Sequence, residues 1–196
     1  SYSVRVTPGV EYVLLGTCKG YLNAMQELMT TLDEGEQRYQ RDFALPSAER
    51  PVLIDNIFYE YDKATLTAAS AASLDQLVDL LELNPNVTIE LASHCDNRGG
   101  DRYNQRLSQA RAESVVDYLL AKGIEEERLT AVGYGENSPK VVTKKMAELY
   151  PFLKEGDVLT EEYINALVNE EERELCHQFN RRTEFQVLRT MYRLYE

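Results

Sequence analysis

From Val52 onward the apolar positions switch between two periods, and each switch marks an element. "VLIDNIFYEY" (52–61) reads as a strand, and "TAASAASLDQLVDLLEL" follows with Leu74, Leu77, Val78 and Leu81 at helical spacing. Thr67 is placed to cap that helix and Asn84-Pro85 to stop it. "VTIELAS" returns to period two, with Val87, Ile89 and Leu91 on one face. The next helix begins near Asp101 as its cap and ends at Lys122-Gly123, a last-turn cation and a C′ glycine. "RLTAVGYG" predicts a third strand and "RRTEFQVLR" a fourth, in which Thr183, Phe185 and Val187 alternate with Glu184 and Gln186.

Strands separated by helices imply right-handed βαβ units, so the fold class is α/β or α+β, with helices covering a small sheet. About forty residues between Pro139 and Phe179 form an insertion before the last strand. "TKKMAELYPF" and "TEEYINALVNEEERELCHQF" within it are helical in pattern. Residues 1–50 differ, with β-type stretches around Val4–Val6 and Tyr12–Leu15 and then a polar, charged linker. Two or three strands make no independent core. The expected division is therefore 1–50, trailing strands and linker of a preceding β-domain, and 51–196, the main domain with an insertion at about 140–178.

Composition narrows the functions. The 196 residues carry a net charge of −12, which argues against nonspecific nucleic-acid binding and against adhesion to anionic lipid. No apolar run approaches the ~18–20 residues of a membrane span. The opening "SYSVRVTPG" has no signal-peptide pattern, and its first serine reads as the start of an excised fragment. Three cysteines cannot all pair within the chain.

Candidate chemistry gathers at one edge. Ligand-contacting residues of such sheets lie beyond the carboxyl ends of parallel strands. Strand one ends at Tyr61-Asp62 and strand two at His94-Cys95-Asp96. If the last strand runs antiparallel, Asn180, Arg181 and Arg182 begin at that same edge. On the second helix Asn104, Leu107 or Ser108, Arg111 and Val115 share a face. Asn104 and the free N–H groups of the helix start are donors suited to a carboxylate. A turn acid and a helix arginine so placed have two explanations: an internal salt bridge, or two halves of a receptor for a ligand bearing both charges.

Other chemistries fit less well. His94-Cys95 and Cys176-His177 lack the two-to-four-residue spacer of a zinc site. Neither histidine has a nucleophile-elbow context, and Gly99-Gly100 matches no phosphate-binding loop. No cofactor motif is legible, and the chain reads as no enzyme. The acidic run "NEEERE" reads as a solvated helix face.

"NQRLSQARAESVVDYLLAKGI", preceded by "SHCD" and followed by "RLTAVGYGENSP" and "NRRTEF", resembles the OmpA C-terminal-like domain. The resemblance spans roughly residues 52–190 and centres on Asn104, Leu107, Ser108, Arg111, Ala112 and Val115. It implies a two-layer α+β sandwich, a βαβαβ core with a further αβ element, in a periplasmic module that anchors outer-membrane proteins to peptidoglycan. It further implies that Asp96 and Arg111 hold the diaminopimelate of the stem peptide noncovalently. Asn97, Asn104, Leu107, Arg181, Tyr61 and Asp62 line the same groove by resemblance. Cys95 stands where the family usually has Thr, which leaves a hydroxyl contact missing there. "IFYEYDKATL" is similar to Bacteroidota versions, and residues 1–50 resemble the trailing strands of a carboxypeptidase-regulatory-like domain, an arrangement of type IX secretion components. The implied partners are peptidoglycan carrying meso-diaminopimelate and envelope or secretion-complex proteins, with no nucleic acid.

Overall fold

The computed structural model describes residues 3–32, 37–54, 57, 59 and 63–191. A four-stranded sheet organises the main domain in the order β3-β6-β4-β5. Its strands are β3 (Val52–Leu53), β4 (Thr88–Ser93), β5 (Leu129–Gly133) and β6 (Thr183–Arg189). β4 pairs parallel with β5 and antiparallel with β6, and β3 pairs antiparallel with β6. The expected mixed α/β architecture is thus present. Of the strand expected over 52–61, Val52–Leu53 join the ladder and Ile54 N donates to Thr183 O (3.0 Å). Residues 55, 56, 58 and 60–62 lie outside the described residues, Tyr61 and Asp62 among them.

Two helices cover one face. α1 (Ala71–Leu83) buries Leu74, Leu77, Val78 and Leu81, the four residues its periodicity selected. They pack with Ile89 and Leu91 of β4, Phe185 of β6, and Val115 and Leu119 of α2 (Asp101–Ala121). Gly100, rather than Asp101, is the N-cap of α2, and Asp101 opens the first turn, where a carboxylate suits the helix dipole. Gly123 ends the helix with φ +95°, the left-handed conformation expected of its position. α2 lies hard against β5: a Cβ on Gly133 would stand 2.2 Å from Gln109 N, so only glycine fits this contact.

Arg128 is buried and joins the two layers. Its guanidinium donates to the carbonyls of Val87 (2.9 Å), Leu81 (2.8 Å) and Asn84 (3.0 Å), satisfying acceptors at the end of α1.

The N-terminal segment forms a hairpin of β1 (Glu11–Gly16) and β2 (Ala24–Met29), paired antiparallel from Glu11↔Met29 to Gly16↔Ala24. "AMQELM" has helix-favouring composition, yet cross-strand pairing with β1 decides its state. Val4–Val6 belong to no strand among the described residues. Leu22, between the strands, enters the main core, and Asn23 exchanges backbone hydrogen bonds with the Asn84 side chain.

The insertion folds as α3 (Lys144–Leu149), α4 (Glu161–Ala166) and α5 (Glu170–Asn180). The single helical stretch expected over 160–179 is broken at Leu167–Asn169. There Asn169 Oδ1 accepts from Glu171 N (2.9 Å) and starts α5 afresh. These helices bury a separate small core of Val142, Leu153, Leu159, Ile164 and Cys176.

Candidate functional site

A cavity of about 580 Å³ opens at the carboxyl end of β4, bounded by the turn after that strand, one face of α2 and the end of α5. The antiparallel β4–β6 ladder produces this meeting: Ser93 pairs with Thr183, so the residues after the one and before the other share an edge. Asp96, Arg111 and Arg181 all line the cavity, as do Cys95, Asn104 and Leu107. Tyr59, Arg98, Tyr103 and Glu174 complete the wall.

Asp96 is buried, with 7% of its surface exposed. Its Oδ2 accepts from Arg98 Nη2 (2.8 Å) and Nε (3.0 Å) and from Arg181 Nη1. Its Oδ1 accepts from Arg98 N (3.3 Å), which folds the turn back on the carboxylate. Both arginines continue to Glu174, through Arg98 Nη1 (2.8 Å) and Arg181 Nη2 (2.9 Å). The result is two acids bridged by two guanidiniums. Hydrogen bonds from Arg181 and Arg98 hold the Glu174 carboxyl at about 2, far below the ordinary value.

Arg111 stands apart from this network. Its Nε donates to Lys63 O (3.2 Å), and its guanidinium carbon lies 4.8 Å from the centre of the Tyr59 ring, a cation–π contact. The Tyr59 hydroxyl reaches Thr183 Oγ1 (3.0 Å), and burial raises its pKa. The internal salt bridge between Asp96 and Arg111, one of the two sequence-level explanations, is not formed: among the described residues Asp96 pairs with Arg98 and Arg181.

Asn104 supports the turn. Its Nδ2 donates to Asp96 O (3.1 Å) and to Glu136 Oε2 (2.5 Å), so its amide protons are engaged within the protein. Cys95 Sγ lies 3.6 Å from Asn104 O, and burial pushes the thiol pKa up, a packed rather than reactive sulfur. Ser108 Oγ accepts from Gly135 N (2.8 Å) while Cys95 N donates to Gly135 O (2.8 Å), which ties helix, turn and β5 together. Asn97 follows Asp96 in the turn, and its Oδ1 is buried with no hydrogen-bond partner among the described residues. Among the described residues no group of three His, Cys, Asp or Glu side chains is placed to hold a metal.

Four cavity residues, Tyr59, Arg98, Tyr103 and Glu174, were not expected from the sequence. Tyr59 had only its aromatic character in "FYEY" as a signal. Arg98 stands before Gly99-Gly100, a pair that carries no binding motif. Glu174 belongs to the acidic run read as a solvated face, and its position on α5 turns it inward to the two arginines.

Beneath the turn, on the sheet face away from α1 and α2, Glu184 is buried beside two cations and a histidine. It meets Arg182 Nη2 (3.2 Å), Lys140 Nζ (3.3 Å) and His94 Nε2 (3.4 Å). Burial pushes its carboxyl upward, but His94, Arg182 and Lys140 outweigh this and hold it below the ordinary carboxylate range. The His94 ring stacks on Tyr134 at 5.1 Å, and burial depresses its pKa.

Residues 58–148 match the model of the OmpA family. Over 95 residues the chain is 37% identical to "Photosystem I P700 chlorophyll a apoprotein A2" of Gloeobacter violaceus, covering 48% of this chain and 11% of that protein. It is 43% identical to Outer membrane protein A of Shimwellia blattae over 89 residues, 44% of this chain and 37% of that one. The solved cell wall anchor of the T6SS from Pseudomonas aeruginosa superposes with a TM-score of 0.48 at 24% identity, over 71% of this chain and 79% of that one. The chain thus spans about a tenth to just over a third of the length of these two curated relatives. The family match ends before α4 and α5, so Glu174 and Arg181 lie outside it.

Proposed function

We propose, from the OmpA-like segment at residues 58–148, that this chain binds peptidoglycan noncatalytically through the diaminopimelate of the stem peptide. One observation carries the reading. A carboxylate, Asp96, and a guanidinium, Arg111, line one cavity without neutralising each other. Diaminopimelate presents an ammonium and a carboxylate on one carbon. Asp96 accepts from the ammonium, and Arg111 grips the carboxylate through two parallel N–H bonds. Tyr59 beneath Arg111 keeps the guanidinium oriented. Asn104 acts through the turn, holding the Asp96 backbone.

Such binding anchors an outer-membrane-associated complex to the cell wall from the periplasm. No described helix is long and apolar enough to cross a membrane. The finer assignment is to a type IX secretion complex of Bacteroidota, on the resemblance of residues 1–50 followed by this domain to the component PorE. Titration with a diaminopimelate muropeptide and its lysine-containing analogue, which lacks that carboxylate, tests the site. Binding of the first and not the second is expected; equal affinities would remove the role of the zwitterion.

A second reading, a protein-interaction scaffold, is favoured by the separate core of the insertion, beside which Leu149 and Val168 stay exposed. It coexists with anchoring. Deleting the insertion would also remove Glu174, so a Leu149/Val168 double substitution to serine is the cleaner probe of a partner surface.

A further inference from the structure

The carboxylate assigned to the ligand ammonium already holds a cation. Arg98 lays Nε and Nη2 on one oxygen of Asp96 at 3.0 and 2.8 Å, the arrangement an incoming ammonium would need to take over. We infer that Arg98 is a specificity-determining residue: an internal stand-in for the ligand ammonium, displaced from Asp96 when the ammonium arrives. The inference rests on the peptidoglycan reading above and says which protein group the ligand competes with.

Two features single out Arg98 rather than Arg181, and a third lets it leave Asp96. The Arg98 side chain is 52% exposed against 33% for Arg181, so it swings into water more readily. It stands in a turn followed by Gly99, at φ +134°, and Gly100, and Gly100 has open space where a Cβ would point. Glu174 offers it a second seat, already engaged through Nη1 at 2.8 Å, so Arg98 keeps a counter-charge after leaving Asp96. Arg181, by contrast, is fixed at the junction of α5 and β6, where its backbone N donates to His177 O (3.0 Å). It remains on Asp96 in both states and keeps the buried carboxylate from standing alone.

The arrangement has a consequence for selectivity. A ligand with a carboxylate for Arg111 but no ammonium leaves Arg98 in place and meets a neutralised Asp96. A ligand with the ammonium must compete, so Arg98 narrows the preference for the zwitterion while keeping the empty site free of an unpaired buried charge.

Calorimetric titration of the whole chain and Arg98→Ala with two probes tests this. One is a muropeptide ending in meso-diaminopimelate. The other is its counterpart with hydrogen in place of the ammonium beside the free carboxylate. Arg98→Ala should bind the first probe roughly two- to fivefold more tightly, the range of a half-exposed ion pair, and the second with unchanged affinity. Equal changes for both probes, or weaker binding of the first, would overturn the inference and leave the peptidoglycan reading standing. Absence of binding by both proteins to the first probe would overturn the two together. Unchanged melting of Arg98→Ala shows that the comparison is made on folded protein.

Discussion

Asp96 and Arg111 share a cavity without sharing a bond. The carboxylate is held by Arg98 and Arg181, while Arg111 lies over Tyr59 and donates to Lys63 O. The pair is therefore separable: each residue can be changed without stripping the other of its partner.

Arg111→Ala should abolish detectable muropeptide binding, and Asp96→Asn should weaken it strongly by replacing a charged acceptor with an amide. Each lost charged hydrogen bond costs about 1.5–3 kcal/mol, or roughly ten- to a hundredfold in affinity. Arg111→Lys should also bind poorly, since an ammonium lacks the fork. Calorimetric titration beside a thermal melt checks this. Folded Arg111→Ala protein that still binds would sink the assignment.

Glu174 predicts an acid-sensitive link between α5 and the turn. Its folded pKa of about 2 lies below the ordinary carboxylate value, so its contribution is full above that ordinary value and is lost as pH falls through about 2. With 41% of the side chain exposed, the contribution is under about 1 kcal/mol. Melting temperatures of wild type and Glu174→Gln measured from pH 6 to pH 2 should differ most at the neutral end and converge at the acid end. Parallel curves would show that the carboxylate is not stabilised by its arginines.

Glu184 carries a larger share. Glu184→Gln leaves the largely buried Arg182 and Lys140 without their common anion, and removing one member of a buried charge group costs about 3–5 kcal/mol. Because its pKa is lowered on folding, the wild-type benefit is present above the ordinary carboxylate range and fades as pH falls below it. Urea unfolding at pH 7 and pH 3 should show a larger difference between the proteins at the first than at the second.

Gly133→Ala should destabilise the domain by about 1–3 kcal/mol through overpacking, since its Cβ would meet the backbone of α2. Denaturant unfolding measures it directly. A neutral result would mean that α2 shifts off β5 without loss.

Legibility in the sequence followed the reach of each signal. The periodicity of Leu74, Leu77, Val78 and Leu81 identified a buried helix face because those four residues interact with one layer. Asp96 and Arg181 were legible as one edge because strand direction places strand ends, and Arg111 because helical spacing sets it on a face with Asn104. β2 was not, since its ladder is specified by β1 and its own composition favours a helix. Glu174 was hidden for a related reason. An acidic run looks solvated until the partners of each carboxylate are known, and its two arginines are seven and seventy-six residues away.

The antiparallel register that brings Thr183 beside Ser93 has a mechanical meaning as well. Asp96 hangs from the end of β4, which is hydrogen-bonded along both edges, to β5 and to β6. A pull on Asp96 along the strand axis would slide β4 between its neighbours, loading both ladders in shear so that their bonds resist together. A pull across the sheet would instead peel one ladder a bond at a time. A load applied at this turn is therefore borne best when it runs along β4.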